Sequence, residues 1–97
     1  MNFDFHTAMI LVYVKAKQEA GYDAKAFLSM VAEHGGEATA HRLLAEPLQP
    51  GFTELWLRKR LDLTMEYLVL RPEWQSLFSE AELAEARRRL VEHGMVI

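Results

Sequence analysis

Glycine and proline interrupt this chain at intervals that leave room only for short helices. They stand at Gly21, Gly35, Gly36, Pro47, Pro50, Gly51, Pro72 and Gly94. Glycine adopts positive φ without a Cβ clash, and proline disfavours helical geometry in the residue before it. Between these points apolar residues recur at helical spacing, and no run alternates apolar and polar residues long enough for a strand. The sequence therefore predicts an all-α fold, a compact bundle of about five to six short helices.

The first half of the chain carries three predicted helices. The first covers about residues 4–20, where Asp4 is placed to cap its start. Asp23 is placed to cap the second helix, which ends at His34 before a pair of glycines. A third helix is predicted at about residues 37–45 and stops before a proline.

The second half carries the remaining helices. A fourth is predicted to begin at Phe52 and to run into residues 58–60. Asp62 or Thr64 can cap a fifth, and proline then breaks it. The apolar set of this fifth helix is predicted to be Leu63, Tyr67, Leu68 and Leu70. Residues 73–78 are predicted to form one short helical turn.

The sixth helix has the strongest start signal in the sequence. Ser79 and Glu82 match the S-x-x-E capping box, in which two backbone donors are satisfied reciprocally. Phe78 and Leu83 occupy the two positions of a hydrophobic staple around that box. This helix is predicted to run to His93 and to stop at the following glycine.

The 97 residues are predicted to form a single domain, residues 1–97. Residues 46–51 form the clearest loop and the one candidate seam. Each side of that loop is shorter than the roughly 50 residues at which independent domains begin.

Composition excludes several classes of function. The chain has no cysteine, which excludes a disulfide framework, a thiolate nucleophile and a cysteine metal cage. Its longest apolar run, residues 8–14, is far below the roughly 20 residues that span a bilayer, and no basic leader precedes it. We therefore expect a cytoplasmic protein without a membrane partner. The net charge of −3 provides no field that attracts nucleic acid.

No residue pattern of covalent catalysis is found. Ser29 lies within a predicted helix, Ser76 lies in the short turn, and Ser79 acts as a cap; none belongs to a G-x-S-x-G elbow. The glycine pair at residues 35 and 36 lacks the lysine of a phosphate-binding loop. The sequence therefore predicts a protein that is not an enzyme and needs no cofactor.

Three residues could approach one another as metal ligands. His34 ends the second helix, while Glu37 and His41 lie four residues apart on the third, and zinc accepts two histidines and a carboxylate. Both His34 and Glu37 also suit the helix ends at which they stand, because of the helix dipole. We favour these helix-end roles and predict no metal site.

Two basic triplets raise the question of nucleic-acid binding. In residues 87–89, Arg88 and Arg89 are predicted to lie on a solvated face with Glu82, Glu85 and Glu92, while the stem of Arg87 covers the edge of the core. The other triplet is Arg58, Lys59 and Arg60. A DNA-contacting domain through this triplet is one alternative, although the following helix offers a carboxylate and aliphatic residues to the DNA.

Large aromatic residues favour a protein partner. Tryptophan is enriched at the energetic centres of interfaces, and Trp56, Trp74 and Phe78 are large anchors for a small domain. Core packing is the competing interpretation, and we favour it for both tryptophans. The candidate partner-binding residues are Arg58, Lys59, Arg60, Trp74 and Phe78, together with the apolar residues 95–97.

A longer pattern resembles a known group of domains. It consists of Gly51-Phe52, Leu55-Trp56, Arg60-Leu61-Asp62-Leu63-Thr64, Glu66, Leu68-Val69-Leu70, Leu77-Phe78 and residues 84–90. It resembles a small, uncharacterised all-helical domain family that is widespread in bacterial proteins, over about residues 22–93. The resemblance implies no catalytic motif and an accessory role beside DNA-processing or restriction-type modules. A glycine is common in that family where this chain has Lys59.

Together these features predict a non-enzymatic accessory or protein-interaction module of a bacterial or phage system. One alternative is the DNA-contacting domain. Another is a small phage-encoded inhibitor that binds a host defence complex. The oligomeric state stays open.

Overall fold

The computed structural model describes residues 4–97, which form helices and connecting segments without any strand. The α-helices are α1 (Phe5–Ala20), α2 (Lys25–His34), α3 (Gly36–Ala45), α4 (Pro50–Leu57), α5 (Met65–Val69) and α6 (Glu80–Glu92). Two short 3-10 turns cover Leu61–Leu63 and Gln75–Leu77. The prediction of one all-α domain with about five to six short helices is confirmed. No helix among these residues has both the length and the apolar character needed to cross a membrane.

Helix α1 has the predicted ends. The Oδ1 atom of Asp4 accepts a hydrogen bond from the backbone N–H of Thr7 at 2.9 Å, which satisfies a donor that the first turn leaves unpaired. At the other end Gly21 takes a left-handed conformation with φ of 69°. The predicted cap on α2 is wrong, because the Asp23 carboxylate instead accepts a hydrogen bond from the Tyr13 hydroxyl at 2.6 Å. That hydrogen bond raises the pKa of Tyr13.

The corner between α2 and α3 brings α3 close to α1. Gly35 ends α2 with φ of 88°. Gly36 begins α3, and a Cβ atom there would lie 2.6 Å from the Cα atom of His6. Its backbone N–H donates to Nδ1 of His6 at 2.9 Å. Gly36 is therefore required by the close crossing of α1 and α3, a role beyond the helix stop that the sequence indicates.

The loop between α3 and α4 is shorter than predicted. Residues 46–51 were expected to be loop, but Pro50 and Gly51 already belong to α4. Proline suits the first helical position because its fixed φ matches a helix and its missing N–H would have no partner there. Helix α4 also ends at Leu57, before the basic triplet, which the sequence places inside the helix. Lys59 adopts a left-handed conformation with φ of 59°, so a tight turn precedes Arg60.

Helix α5 is short and faces the core differently from the prediction. The Oγ1 atom of Thr64 accepts from the backbone N–H of Tyr67 at 3.2 Å, so Thr64 is the cap. Met65 and Val69 are buried, whereas Tyr67, a predicted core residue, is 38% exposed. The other three residues of the predicted apolar set lie in or against the core clusters, so among these four the prediction is wrong at Tyr67 alone; they are Leu63, Leu68 and Leu70.

The start of α6 is built as predicted. The Ser79 N–H donates to Oε1 of Glu82 at 2.9 Å, and the Glu82 N–H donates to Oγ of Ser79 at 3.1 Å. Phe78 is buried in the main core cluster, and Leu83 packs against the same cluster. The capping box and its staple are therefore confirmed.

The core consists of one main cluster and two smaller ones. The main cluster joins α1, α2, α3, α5 and α6 through buried residues that include Phe5, Met9, Val31, Leu43 and Val69. Ala16, Leu55 and Leu63 form a second cluster, and Phe52, Leu61 and Leu90 form a third. The smaller clusters attach α4 to α1 and α6, so α4 lies at the edge of the domain.

Candidate functional site

Arg58 connects the end of α4 to the end of α1. Its guanidinium pairs with the Glu54 carboxylate, and its Nε atom donates to the Ala20 carbonyl at 3.0 Å. The same group lies 5.3 Å from the centroid of the Tyr22 ring, within the range of a cation–π contact. Most of its hydrogen-bonding capacity is therefore used inside the domain.

Arg60 is also held by carboxylates of the chain. It donates to Glu19 of α1 at 2.8 Å and to Asp62 at 3.1 Å. These bonds, first that to Asp62 and then that to Glu19, raise the pKa of Arg60, and Arg60 in turn lowers the pKa of Asp62. Arg60 is thus positioned to connect α1 to the turn that follows α4.

Lys59 is the cation of this triplet that points into solvent. Its side chain is exposed and forms neither a hydrogen bond nor an ion pair with residues 4–97. Affinity for nucleic acid depends on several phosphate contacts that act together. With both arginines paired, the triplet contributes a single unpaired cation from the part of the chain that the structure describes.

The two predicted aromatic anchors differ in accessibility. Phe78 is only 8% exposed, and its ring lies 5.4 Å from that of Phe5 in an edge-to-face arrangement. Trp74 is half-buried and lies 5.5 Å from the other side of the same ring. Phe78 is therefore a core residue that offers little surface to a partner, while part of the Trp74 ring stays accessible.

Trp56 is exposed, and the prediction that it packs in the core is wrong. Its exposed fraction is 42%, and that of its neighbour Leu57 is 64%. The edge of the Trp56 ring meets the His93 ring at 5.0 Å, and His93 also contacts Phe52 at 4.8 Å. The short α4 explains the error, because only Phe52 and Leu55 of this helix reach buried clusters.

Residues 95–97 extend the apolar surface beside α4. Met95 packs against the buried cluster that contains Phe52, and its N–H donates to the Leu90 carbonyl at 3.0 Å. Beyond it, Val96 is 97% exposed and Ile97 is half exposed. We call Trp56, Leu57, His93, Val96 and Ile97 the α4 apolar surface. Exposed apolar groups that form one patch mark interaction sites in proteins.

Arg89 is buried, contrary to the prediction that it lies on a solvated face of α6. Its side chain is 2% exposed and donates to Glu66 of α5 at 2.9 Å and to Glu85 of α6 at 2.7 Å. Arg89 therefore pairs with Glu85 four residues earlier on the same helix, and α3 and α5 cover this pair. Arg88 remains exposed and pairs with Glu85 and Glu92, whereas Arg87 is exposed as well, against the expectation that it covers the core.

The guanidinium of Arg89 also closes the end of α3. It donates to the carbonyls of Leu43 at 3.2 Å, Leu44 at 3.4 Å and Glu46 at 2.6 Å. The last carbonyls of a helix have no partner within it and carry its partial negative charge. One arginine of α6 thus caps α3 and neutralises Glu66. Burial raises the pKa of Glu66, and the bond from Arg89 opposes that effect.

Of the three residues considered as metal ligands, Glu37 and His41 are paired with each other, and His34 is paired elsewhere. His41 lies 2.5 Å from Glu82 and 3.7 Å from Glu37, while the nearest carboxylate to His34 is that of Glu33 at 4.0 Å. Among residues 4–97 no group of three histidine or carboxylate side chains is arranged to hold a metal ion. Desolvation raises the pKa of Glu82, but the interactions with His41 and with Ser79 together outweigh that effect, so the pKa is lowered.

Comparison with known proteins gives no match to a family model, to a curated protein or to a solved structure. The resemblance to the bacterial helical domain family therefore stays a prediction. The turn at Lys59 is compatible with it, since that family commonly has glycine there and this residue has positive φ.

Proposed function

We propose that this domain is a non-enzymatic accessory module that binds another protein through the α4 apolar surface, in the cytoplasm of a bacterium and as part of a host or phage system. The observations that carry the proposal are the exposure of Trp56, Leu57 and Val96 and the contact of the C-terminal residues with α4 through His93. Large apolar groups on a surface gain free energy when a partner removes them from water, by roughly 25 cal/mol for each Å².

The surface has the construction of an interaction site. Trp56 is held by its edge-to-face contact with His93, so little conformational freedom is lost when a partner covers it. Leu57 and Val96 add exposed aliphatic groups. Arg58 and Lys59 lie next to Leu57 and provide a polar rim. A partner with an apolar groove or helix face and an acidic edge would complement this arrangement.

The test compares two exposed leucines. The tagged full chain is used to capture partners from a bacterial lysate, and the captured protein is purified and titrated against the wild type, Leu57→Glu and Leu48→Glu. We expect Leu57→Glu to weaken binding by about tenfold or more, as at an interface centre. Leu48 is exposed just before the first residue of α4, whereas Leu57 is the last residue of that helix, so Leu48→Glu is the matched control.

Equal affinities for the two variants would overturn the proposal, and so would a wild-type chain that retains no protein. Circular dichroism melts of both variants show whether each remains folded. A salt-dependent gel shift that disappears when residues 58–60 are neutralised would favour the DNA-contacting alternative instead. Capture of a component of a defence complex would identify the module as an inhibitor of the phage-encoded type.

A further inference from the structure

The domain also has a concave feature that none of the residues of the α4 apolar surface line. It is a cavity of about 170 Å³ between α1, α2, α4 and the start of α5. Its floor is made of the buried residues Ala16, Leu43, Leu55 and Met65. Its mouth opens between the first turns of α2 and α4, where Ala26 and Pro50 are exposed.

Three polar side chains in its wall are already paired within the domain. The Tyr13 hydroxyl donates to Asp23, the Thr64 hydroxyl donates to the Leu61 carbonyl at 2.7 Å, and the Glu66 carboxylate pairs with Arg89. Among the described residues no buried side-chain nitrogen or oxygen lacks a hydrogen-bond partner. A water molecule inside a protein needs two to four polar partners, so water is held poorly in this space.

We propose that this cavity binds a small, uncharged, apolar molecule of about the size of benzene or toluene. The size follows from the volume, since an apolar cavity of about 150 Å³ accepts benzene or xenon. The absence of charge follows from the wall, because a charged ligand would lose much of its hydration against a mostly apolar lining whose buried polar side chains among the described residues are already paired. An apolar ligand has no charged group whose hydration would be lost, and it gains contact with the aromatic and aliphatic lining.

The fold leaves this space open because small residues occupy positions where larger ones would fill it. Ala16 on the floor and Ala26 at the mouth both line the cavity. Ala16 is 1% exposed, so a larger side chain there must enter the cavity or disturb α1. Ala26 is exposed, so a larger side chain there can cover the mouth while the buried packing stays unchanged.

The first measurement is a titration of the full chain with toluene, followed by methyl NMR. We expect saturable shifts at the methyl groups of Met30 and Met65, which line the cavity, and no shift at Val96, which does not. Benzylamine and benzoate serve as charged probes of similar shape. Each should bind at least about tenfold more weakly, which corresponds to about 1.4 kcal/mol.

The second measurement uses two exposed alanines of the same helix. Ala26→Leu narrows the mouth, whereas Ala32→Leu adds the same side chain at a position of α2 outside the cavity. We expect the first variant to bind toluene about tenfold more weakly and the second to match the wild type. Neither residue belongs to the α4 apolar surface, so failure here leaves the proposed protein partner unaffected.

Three results would overturn the inference. One is a set of shifts that grow linearly with toluene and never saturate, which indicates a solvent effect. Another is equal loss of binding in both alanine variants. The third is equal binding of toluene, benzylamine and benzoate, because a ligand at an open surface keeps its hydration and is not selected by charge.

Discussion

The two arginine triplets have nearly the same composition and very different places in the molecule. Residues 58–60 follow the short α4 at the edge of the domain, where Arg58 and Arg60 form ion pairs that are open to solvent. Residues 87–89 lie within α6, where α3 and α5 cover Arg89 and leave Arg88 exposed. The local sequences of the two triplets are alike. The contribution of each arginine to stability therefore depends on which helices pack over it.

The difference has an energetic consequence. An exposed ion pair gains little, because water screens the charges and both side chains lose conformational freedom. A buried arginine that loses its partners, or a buried carboxylate that loses its arginine, is left with an unpaired charge or polar group at high cost. Arg89 is bound by two carboxylates and by the last carbonyls of α3, so its removal leaves several groups unsatisfied at once.

The largest expected effect is that of Arg89→Met. This substitution leaves the Glu66 carboxylate buried without its cation and removes the cap from α3. We expect the free energy of unfolding to fall by about 3–5 kcal/mol. Urea denaturation followed by circular dichroism measures the loss. For Arg60→Met, the same change in the other triplet, the loss in the free energy of unfolding should be smaller than the error of that measurement.

A double variant separates the charge from the packing. Glu66→Leu combined with Arg89→Met replaces the buried pair by apolar side chains, which is often neutral or stabilising in buried sites. We therefore expect the double variant to recover part of the stability that Arg89→Met loses. A loss of equal size in Arg60→Met and Arg89→Met would show that burial does not distinguish the two triplets.

A smaller effect is expected in acid at Glu85, the carboxylate shared by Arg88 and Arg89. Their hydrogen bonds, that of Arg88 first, lower the pKa of Glu85 to about 2 from its ordinary 4.5. A lowered pKa means that the unfolded chain binds more protons between these values, so stability is present above 4.5 and is lost as the pH falls toward 2. Glu85→Gln should therefore cost about 1–2 kcal/mol near neutral pH and nearly nothing at the acid end.

Asp62→Asn is the matched control for this pH dependence. Its carboxylate also has a lowered pKa, through Arg60, but the pair lies at the surface. In denaturation experiments at a series of pH values, the change in the free energy of unfolding relative to wild type should vary less with pH for Asp62→Asn than for Glu85→Gln. Curves of equal steepness would contradict the comparison. Glu66 does not contribute to this loss of stability in acid. Its pKa is raised, so it changes the free energy of unfolding at pH values above its ordinary pKa.

The features that sequence predicts well are those determined within one turn of helix. Asp4 caps α1, and Ser79 with Glu82 closes the start of α6, because each bond joins residues three positions apart. The all-α class follows from the same local signals together with helical spacing. The cap at Asp23 fails for a tertiary reason, since the Tyr13 hydroxyl of another helix binds that carboxylate.

The buried pair of Glu66 and Arg89 and the exposed Trp56 could not be predicted from local sequence patterns, because both depend on how distant parts of the chain pack. Glu66 and Arg89 are 23 positions apart, and each stands among polar and apolar neighbours without a special motif. The one available signal is that Glu66 lies between residues that are otherwise suited to the core, which makes a buried partner necessary. The exposure of Trp56 depends on the length of α4, and α4 ends early because Lys59 turns the chain.

The smallest expected effect concerns that turn. Lys59 has φ of 59°, a conformation in which its Cβ atom crowds the carbonyl oxygen at a cost of about 1–2 kcal/mol. Glycine avoids this cost but loses more freedom on folding, so Lys59→Gly should stabilise the domain by about 0.5–1 kcal/mol. The gain should appear as a higher melting temperature. It would show that backbone conformation limits stability at residues 58–60, whereas the buried charge of Arg89 determines stability at residues 87–89.

Lys15→Gly provides the opposite case, because Lys15 is an exposed residue inside α1. Glycine in the interior of a helix costs about 1 kcal/mol relative to good helix formers, so the same substitution should destabilise the domain there. A loss of stability in both variants would mean that the Lys59 side chain contributes more than its backbone strain costs.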